Sequence, residues 1–158
     1  CSTSSADLVR SLGADIVIDY HSQDFGAELS DVDLVLHSQD AATLEKSLRV
    51  LRLGGKLVSI SGPPDPAFGK AQGLNIVMRQ VLALLSRRVR NTARRLGVEY
   101  AFHLMHADGG QLAEITKLVQ DGAIVPVTAR TFPFNDVNAA LDMLDGGRAK
   151  GKIVVAVK

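Results

Sequence analysis

An open α/β sheet of parallel strands, with helices on both faces, is the fold class this sequence predicts. Three features point to it. Short apolar, β-branched runs alternate with stretches of helical spacing. Glycine pairs such as Gly54-Gly55 and Gly146-Gly147 punctuate the joins. The chain of 158 residues is 46% hydrophobic, which suits a packed core and argues against disorder.

The elements follow in order. Leu8, Val9 and Leu12 have helical spacing, and Gly13 is a stop. Ile16-Val17-Ile18 predicts a short strand ending at Asp19-Tyr20. Cys1 to Tyr20 therefore reads as the second half of a βαβ unit, without its first strand and glycine-rich loop. Asp31 to His37 (DVDLVLH) predicts a strand buried on both faces. Ala41 to Leu53 predicts a helix, with Leu44, Leu48 and Leu51 on one side and Gly54-Gly55 ending it. Lys56 to Ile60 is the next strand. Pro63, Pro64 and Pro66 predict a loop without regular structure from Gly62 to Gly69. Leu74 to Leu96 predicts one long helix, apolar first and arginine-rich later. Tyr100 to Met105 predicts a strand, Gln111 to Gln120 a helix, and Val127 to Phe132 a strand. A helix from Phe134 to Leu144 and a strand from Lys152 to Val157 close the chain.

Composition excludes several functions. A net charge of +1 gives no global pull toward nucleic acid or membrane, and neither is expected as a partner. The single cysteine, Cys1, excludes a disulfide framework within this chain. Leu74 to Leu85, the most apolar stretch, is interrupted by Asn75, Arg79 and Gln80 and is too short to span a bilayer. A soluble, cytoplasmic protein is the expectation.

Several motifs fail on physical grounds. Gly146 to Lys152 has the spacing of a phosphate loop, but a helix enters and a strand leaves, the reverse of what such a loop needs. His103 and His106 lack neighbouring carboxylates or thiols, so they read as core or surface histidines rather than metal ligands. No Gly-x-Ser-x-Gly elbow precedes Ser59 or Ser61. Arg87, Arg88, Arg90, Arg94 and Arg95 near a helix C-terminus read as a solvated face complementing the helix dipole. Ligands of open α/β sheets bind beyond the carboxyl ends of strands. Here those positions are Tyr20, His37-Ser38 and Ser61-Gly62.

Leu12–Tyr20 (LGADIVIDY), Asp31–Ser38, Leu48–Gly62 (LRVLRLGGKLVSISG) and Leu118–Val155 together resemble the medium-chain dehydrogenase/reductase superfamily. The branch they most resemble is the zinc-independent, NADPH-dependent quinone oxidoreductase and enone reductase type. The resemblance implies a Rossmann-like doubly wound parallel sheet, N-terminally truncated, with its first two strands largely missing. Residues 1–126 would be the partial dinucleotide-binding domain, and 127–158 the segment returning toward a substrate domain. Ser2, Thr3, Ser4 and Ser5 would lie in the loop facing the adenosine ribose and its 2′-phosphate, with Tyr20 approaching that phosphate. The loop has no Lys or Arg before Arg10. His37, Ser38, Ser61, Gly62 and Pro63 would sit beside the ribose and nicotinamide, and Lys152 near the cofactor.

The implied cofactor is NADPH, with NADH as the alternative, and the implied reaction is hydride transfer to a quinone or activated alkene. No catalytic side chain is assigned, and the isolated chain is expected to be inactive. A zinc-type alcohol dehydrogenase cofactor domain and a non-catalytic nucleotide-binding or interaction protein remain alternatives. Asp31–His37 would be strand four, its edge bared by the missing strands. A homodimer is therefore expected, through the Tyr100–Met105 edge or a swapped arrangement.

Overall fold

The computed structural model describes residues 1–147 and 149–157. Contacts divide the chain into two compact units, Ile18–His106 and Cys1–Val17 with Ala107–Lys158.

The first unit is built on a parallel sheet of three strands in the order β1-β2-β3. These are β1 (Val32–His37), β2 (Leu51–Ser59) and β3 (Glu99–Phe102). Helix α3 (Ala41–Arg49) joins β1 to β2, after the short α2 (Phe25–Glu28), while α1 (Ala6–Ser11) belongs to the other unit. Asp40 caps α3 by accepting the Thr43 N–H at 2.8 Å. Leu44 and Leu48, one turn apart, then point at the sheet. Three helices intervene between β2 and β3: α4 (Pro66–Ala71), α5 (Ile76–Leu85) and α6 (Arg87–Leu96). Val89 and Ala93 of α6 join Leu44, Leu48, Leu51, Leu57 and Val98 in one buried cluster. Gly97 ends α6 in the left-handed conformation, φ 68°, where a side chain would be strained.

The second unit pairs β4 (Thr128–Pro133) with β5 (Lys152–Ala156) in parallel. Helix α8 (Val137–Asp145) forms the crossover and α7 (Gly109–Gln120) precedes β4. Phe132 and Ala140 are buried.

Six expectations need correction. Residues 16–18 form no strand: among the described residues the ladders are β1-β2-β3 and β4-β5, and the segment belongs to neither. The helix expected to reach Leu53 stops at Arg49. Leu51 instead pairs with Val32, and the ladder continues after a register shift near Gly54-Gly55. β1 is buried on one face only: Val35 and His37 face the helices, while Leu34 and Leu36 are 60% and 70% exposed. The proline-rich segment contains a helix, α4, because Pro66 occupies its first turn, where a missing N–H costs nothing. The long helix is two. Ser86 breaks it, its hydroxyl donating to the Leu82 carbonyl at 2.7 Å and competing with the helical ladder. The Tyr100–Met105 strand is shorter than expected, ending at Phe102, with His103 and His106 both exposed beyond it.

Candidate functional site

The carboxyl ends of β1 and β2 bring His37 opposite Ser59. Both side chains face the helices. His37 is 3% exposed and Ser59 fully buried. The Ser59 hydroxyl organises the loop that follows it, accepting the Gly62 N–H at 2.8 Å and the Ser61 N–H at 3.4 Å. It also lies 3.3 Å from His37 Nδ1. Ser61 Oγ donates to the Gln39 carbonyl at 2.7 Å and lies 3.4 Å from the same Nδ1. With its hydrogen on Gln39, Ser61 can only accept from the imidazole. That inventory assigns the ring hydrogen to Nδ1 and leaves Nε2 a bare acceptor. Nε2 is buried and has no hydrogen-bond partner among the described residues.

A second layer holds the loop from behind. Tyr100 of β3 donates its hydroxyl to the Pro63 carbonyl at 2.8 Å. Burial pushes the Tyr100 phenol up to about 12; the nearby Asp65 carboxylate adds to this, and a Ser59 hydrogen bond opposes it. Asp65 is buried, accepting the Phe68 N–H at 2.7 Å as the α4 cap and the Phe102 N–H at 3.4 Å. Burial also holds the His37 pKa below the ordinary imidazole value, opposed by the carbonyl and carboxylate of Asp40. His37 is therefore neutral at pH 7.

Gly62 is required by this packing. A Cβ there would stand 2.7 Å from both Ser59 Oγ and Tyr100 Oη. The loop thus brings its backbone close to the strand ends, where ligands of such sheets lie. The close backbone approach that glycine permits fits a nucleotide laid over the strand ends.

His37, Ser61, Gly62 and Pro63 are brought together at these strand ends, with exposed Ser38 next to His37. Tyr20 lies apart on an exposed turn, its ring packed 4.1 Å from that of His21. Ser2 to Ser5 and Lys152 belong to the other unit. There, Thr3–Ser5 form a 3₁₀ turn and the Ser2 and Ser4 hydroxyls are 3.1 Å apart. Lys150 reaches this turn, donating to the Ser4 carbonyl, with Ser2, Ser4, Ser5 and Lys150 lining one open cavity. Lys152 begins β5, its N–H donating to the Val127 carbonyl at 2.7 Å.

Sequence reasoning missed Ser59, Tyr100, Asp65, Gln39 and Lys150. The signal for Ser59 was its inward parity with Leu57 on β2. Lys150 lies 146 positions from Ser4, so no local pattern could associate them.

The profile of the zinc-binding dehydrogenases matches residues 12–155. The chain belongs to this family, within the medium-chain dehydrogenase/reductases. It is 32% identical over 165 residues to the mitochondrial NAD(P)H oxidoreductase RTN4IP1 of Bos taurus, covering 99% of this chain and 40% of that protein. It is 26% identical to the chloroplastic NADPH-dependent alkenal/one oxidoreductase of Arabidopsis thaliana, covering 98% of this chain and 32% of that protein. The quinone oxidoreductase of Coxiella burnetii superposes on all of this chain and 44% of its own, with TM-score 0.72 and 21% identity. The chain thus spans about 40% of the length of the mitochondrial relatives it matches.

Proposed function

We propose that this chain is the cofactor-domain part of an NAD(P)H-dependent oxidoreductase that reduces a quinone or an activated alkene. The observation carrying this reading is the buried His37–Ser59–Ser61 network beneath the Gly62 loop. The names of the relatives support the reaction class. When bound, the reduced nicotinamide supplies the hydride. The chain binds and orients: Ser59 and Tyr100 fix the Ser61–Pro63 backbone, and His37 Nδ1 braces Ser59 and Ser61 beneath it.

NADPH is the preferred cofactor in this reading. Lys150 beside the Ser2–Ser5 turn offers the cation that a 2′-phosphate needs and that the turn itself lacks. Zinc-independent chemistry and a cytoplasmic location complete the proposal. No helix among the described residues is long and apolar enough to cross a membrane. A homodimer is also proposed, because β1 and β3 each pair only with β2 among the described residues, leaving an open edge on either side. Sedimentation equilibrium tests this, and a monodisperse monomer at micromolar concentration would overturn it.

Calorimetry with NADPH and NADH, on this chain and on a full-length oxidoreductase containing it, tests the cofactor reading. Tight NADPH binding by the longer protein, with preference reduced by Lys150→Ala, is expected. Binding of neither nucleotide by either protein would overturn it.

A further inference from the structure

The balanced charge of the chain conceals two unlike parts. Residues 66–98 carry Lys70, Arg79, Arg87, Arg88, Arg90, Arg94 and Arg95 and no aspartate or glutamate. Removing these 7 cations from the 18 leaves 11 against 17 acids, so the rest of the chain is −6. The basic segment comprises α4, α5 and α6, the excursion between β2 and β3.

Helix α5 is buried along one side only, through Leu82 and the following Ser86. Its opposite side presents Val77, Val81 and Leu84, at i, i+4 and i+7, flanked by Met78 and Leu85. All five are exposed, Leu84 by 69%. At about 100° per residue they span roughly 120° of the circumference, the width of a stripe that normally faces an apolar phase. Helix α6 turns Val89, Thr92 and Ala93 inward and Arg87, Arg88, Arg94 and Arg95 outward. Arg88 has an acidic partner, Glu45, at 2.9 Å. Arg94 and Arg95 bond to the neutral Asn91 and Thr92, which leaves their charge uncompensated there. The stripe and the basic helix meet where Leu85 and Arg88 line one groove against α3, about 670 Å³ in volume.

We propose that the α5–α6 pair docks on an anionic lipid bilayer, with the aliphatic stripe at the acyl boundary and the arginines among the headgroups. Charge complementarity selects this occupant. A second copy would bring seven more cations onto the same face. A nucleic acid would leave the aliphatic stripe in water, and neither helix has an aromatic side chain on which bases could stack.

The test is co-sedimentation with phosphatidylcholine vesicles, with and without phosphatidylglycerol, using this chain and the longer oxidoreductase. Binding only to anionic vesicles, released by high salt, is expected for both proteins. The exposed substitutions V81N/L84N and R94E/R95E should each weaken it at least about tenfold with unchanged circular dichroism. Equal binding to neutral vesicles, or undiminished binding by both variants, would overturn the proposal. So would stronger binding to duplex DNA. Binding by this chain but not by the longer protein would overturn it too, by showing that the remaining polypeptide covers the stripe.

Discussion

Ser59→Ala removes one oxygen and should disturb the whole strand-end loop. The Ser59 hydroxyl accepts from Gly62 at 2.8 Å and from Ser61 at 3.4 Å, and lies 3.3 Å from His37 Nδ1. Its loss leaves the half-buried Gly62 N–H and one imidazole contact without their acceptor. A buried donor stranded in this way costs about 1–3 kcal/mol. The space left by a hydroxyl is too small for a replacing water, which needs about 10–15 Å³ of its own. Since Ser61 Oγ still receives part of the His37 hydrogen, the loss should be about 2 kcal/mol. Urea unfolding measures it, with Ser61→Ala, an exposed position, as the comparison expected to stay within about 1 kcal/mol. Amide hydrogen exchange at Gly62 should accelerate in the same variant. A change under about 0.5 kcal/mol with unaltered Gly62 exchange would refute the assignment of Ser59 as the loop's anchor.

Other consequences are equally specific. Gly62→Ala should destabilise by about 1–3 kcal/mol in thermal unfolding, because its methyl stands 2.7 Å from Ser59 Oγ and from Tyr100 Oη. Leu48→Ala, at a position 1% exposed, should cost about 2–5 kcal/mol in urea unfolding, by lost transfer energy and a residual cavity. Tyr100 is pushed up to about 12 by burial, so the unfolded chain loses its phenolic proton first. Stability should therefore fall as pH rises from about 10 toward the folded value, and Tyr100→Phe should remove that dependence. His37 has the complementary sign. Its folded pKa is lowered, so the unfolded chain gains the proton first, and stability should decline as pH falls below about 6.5, as urea midpoints across that range would show.

Much of this arrangement was legible because it is local. The Leu44/Leu48 stripe and the run ending at His37 carry their periods in adjacent residues, and the parallel order follows from alternation. The boundaries were less legible where tertiary contacts override propensity. Leu51 reads as a third helical leucine until Val32 is seen to pair with it. Pro66 reads as a breaker until its place in the first turn of α4 is known. Leu34 and Leu36 suggest burial by their chemistry, yet nothing among the described residues covers them enough to exclude solvent. At the site, His37, Ser61, Gly62 and Pro63 come together at the strand ends. The groups that hold them, Ser59, Asp65 and Tyr100, come from three separate elements brought together only by folding.

Titrating NADPH into the ¹⁵N-labelled chain tests the central claim most directly, since amide shifts report even weak nucleotide binding residue by residue. The account predicts that the His37, Ser38, Ser61 and Gly62 amides shift first, and that the His37 ring nitrogens report a hydrogen on Nδ1. Shifts confined to other surfaces, or a hydrogen found on Nε2 in the free chain, would contradict it.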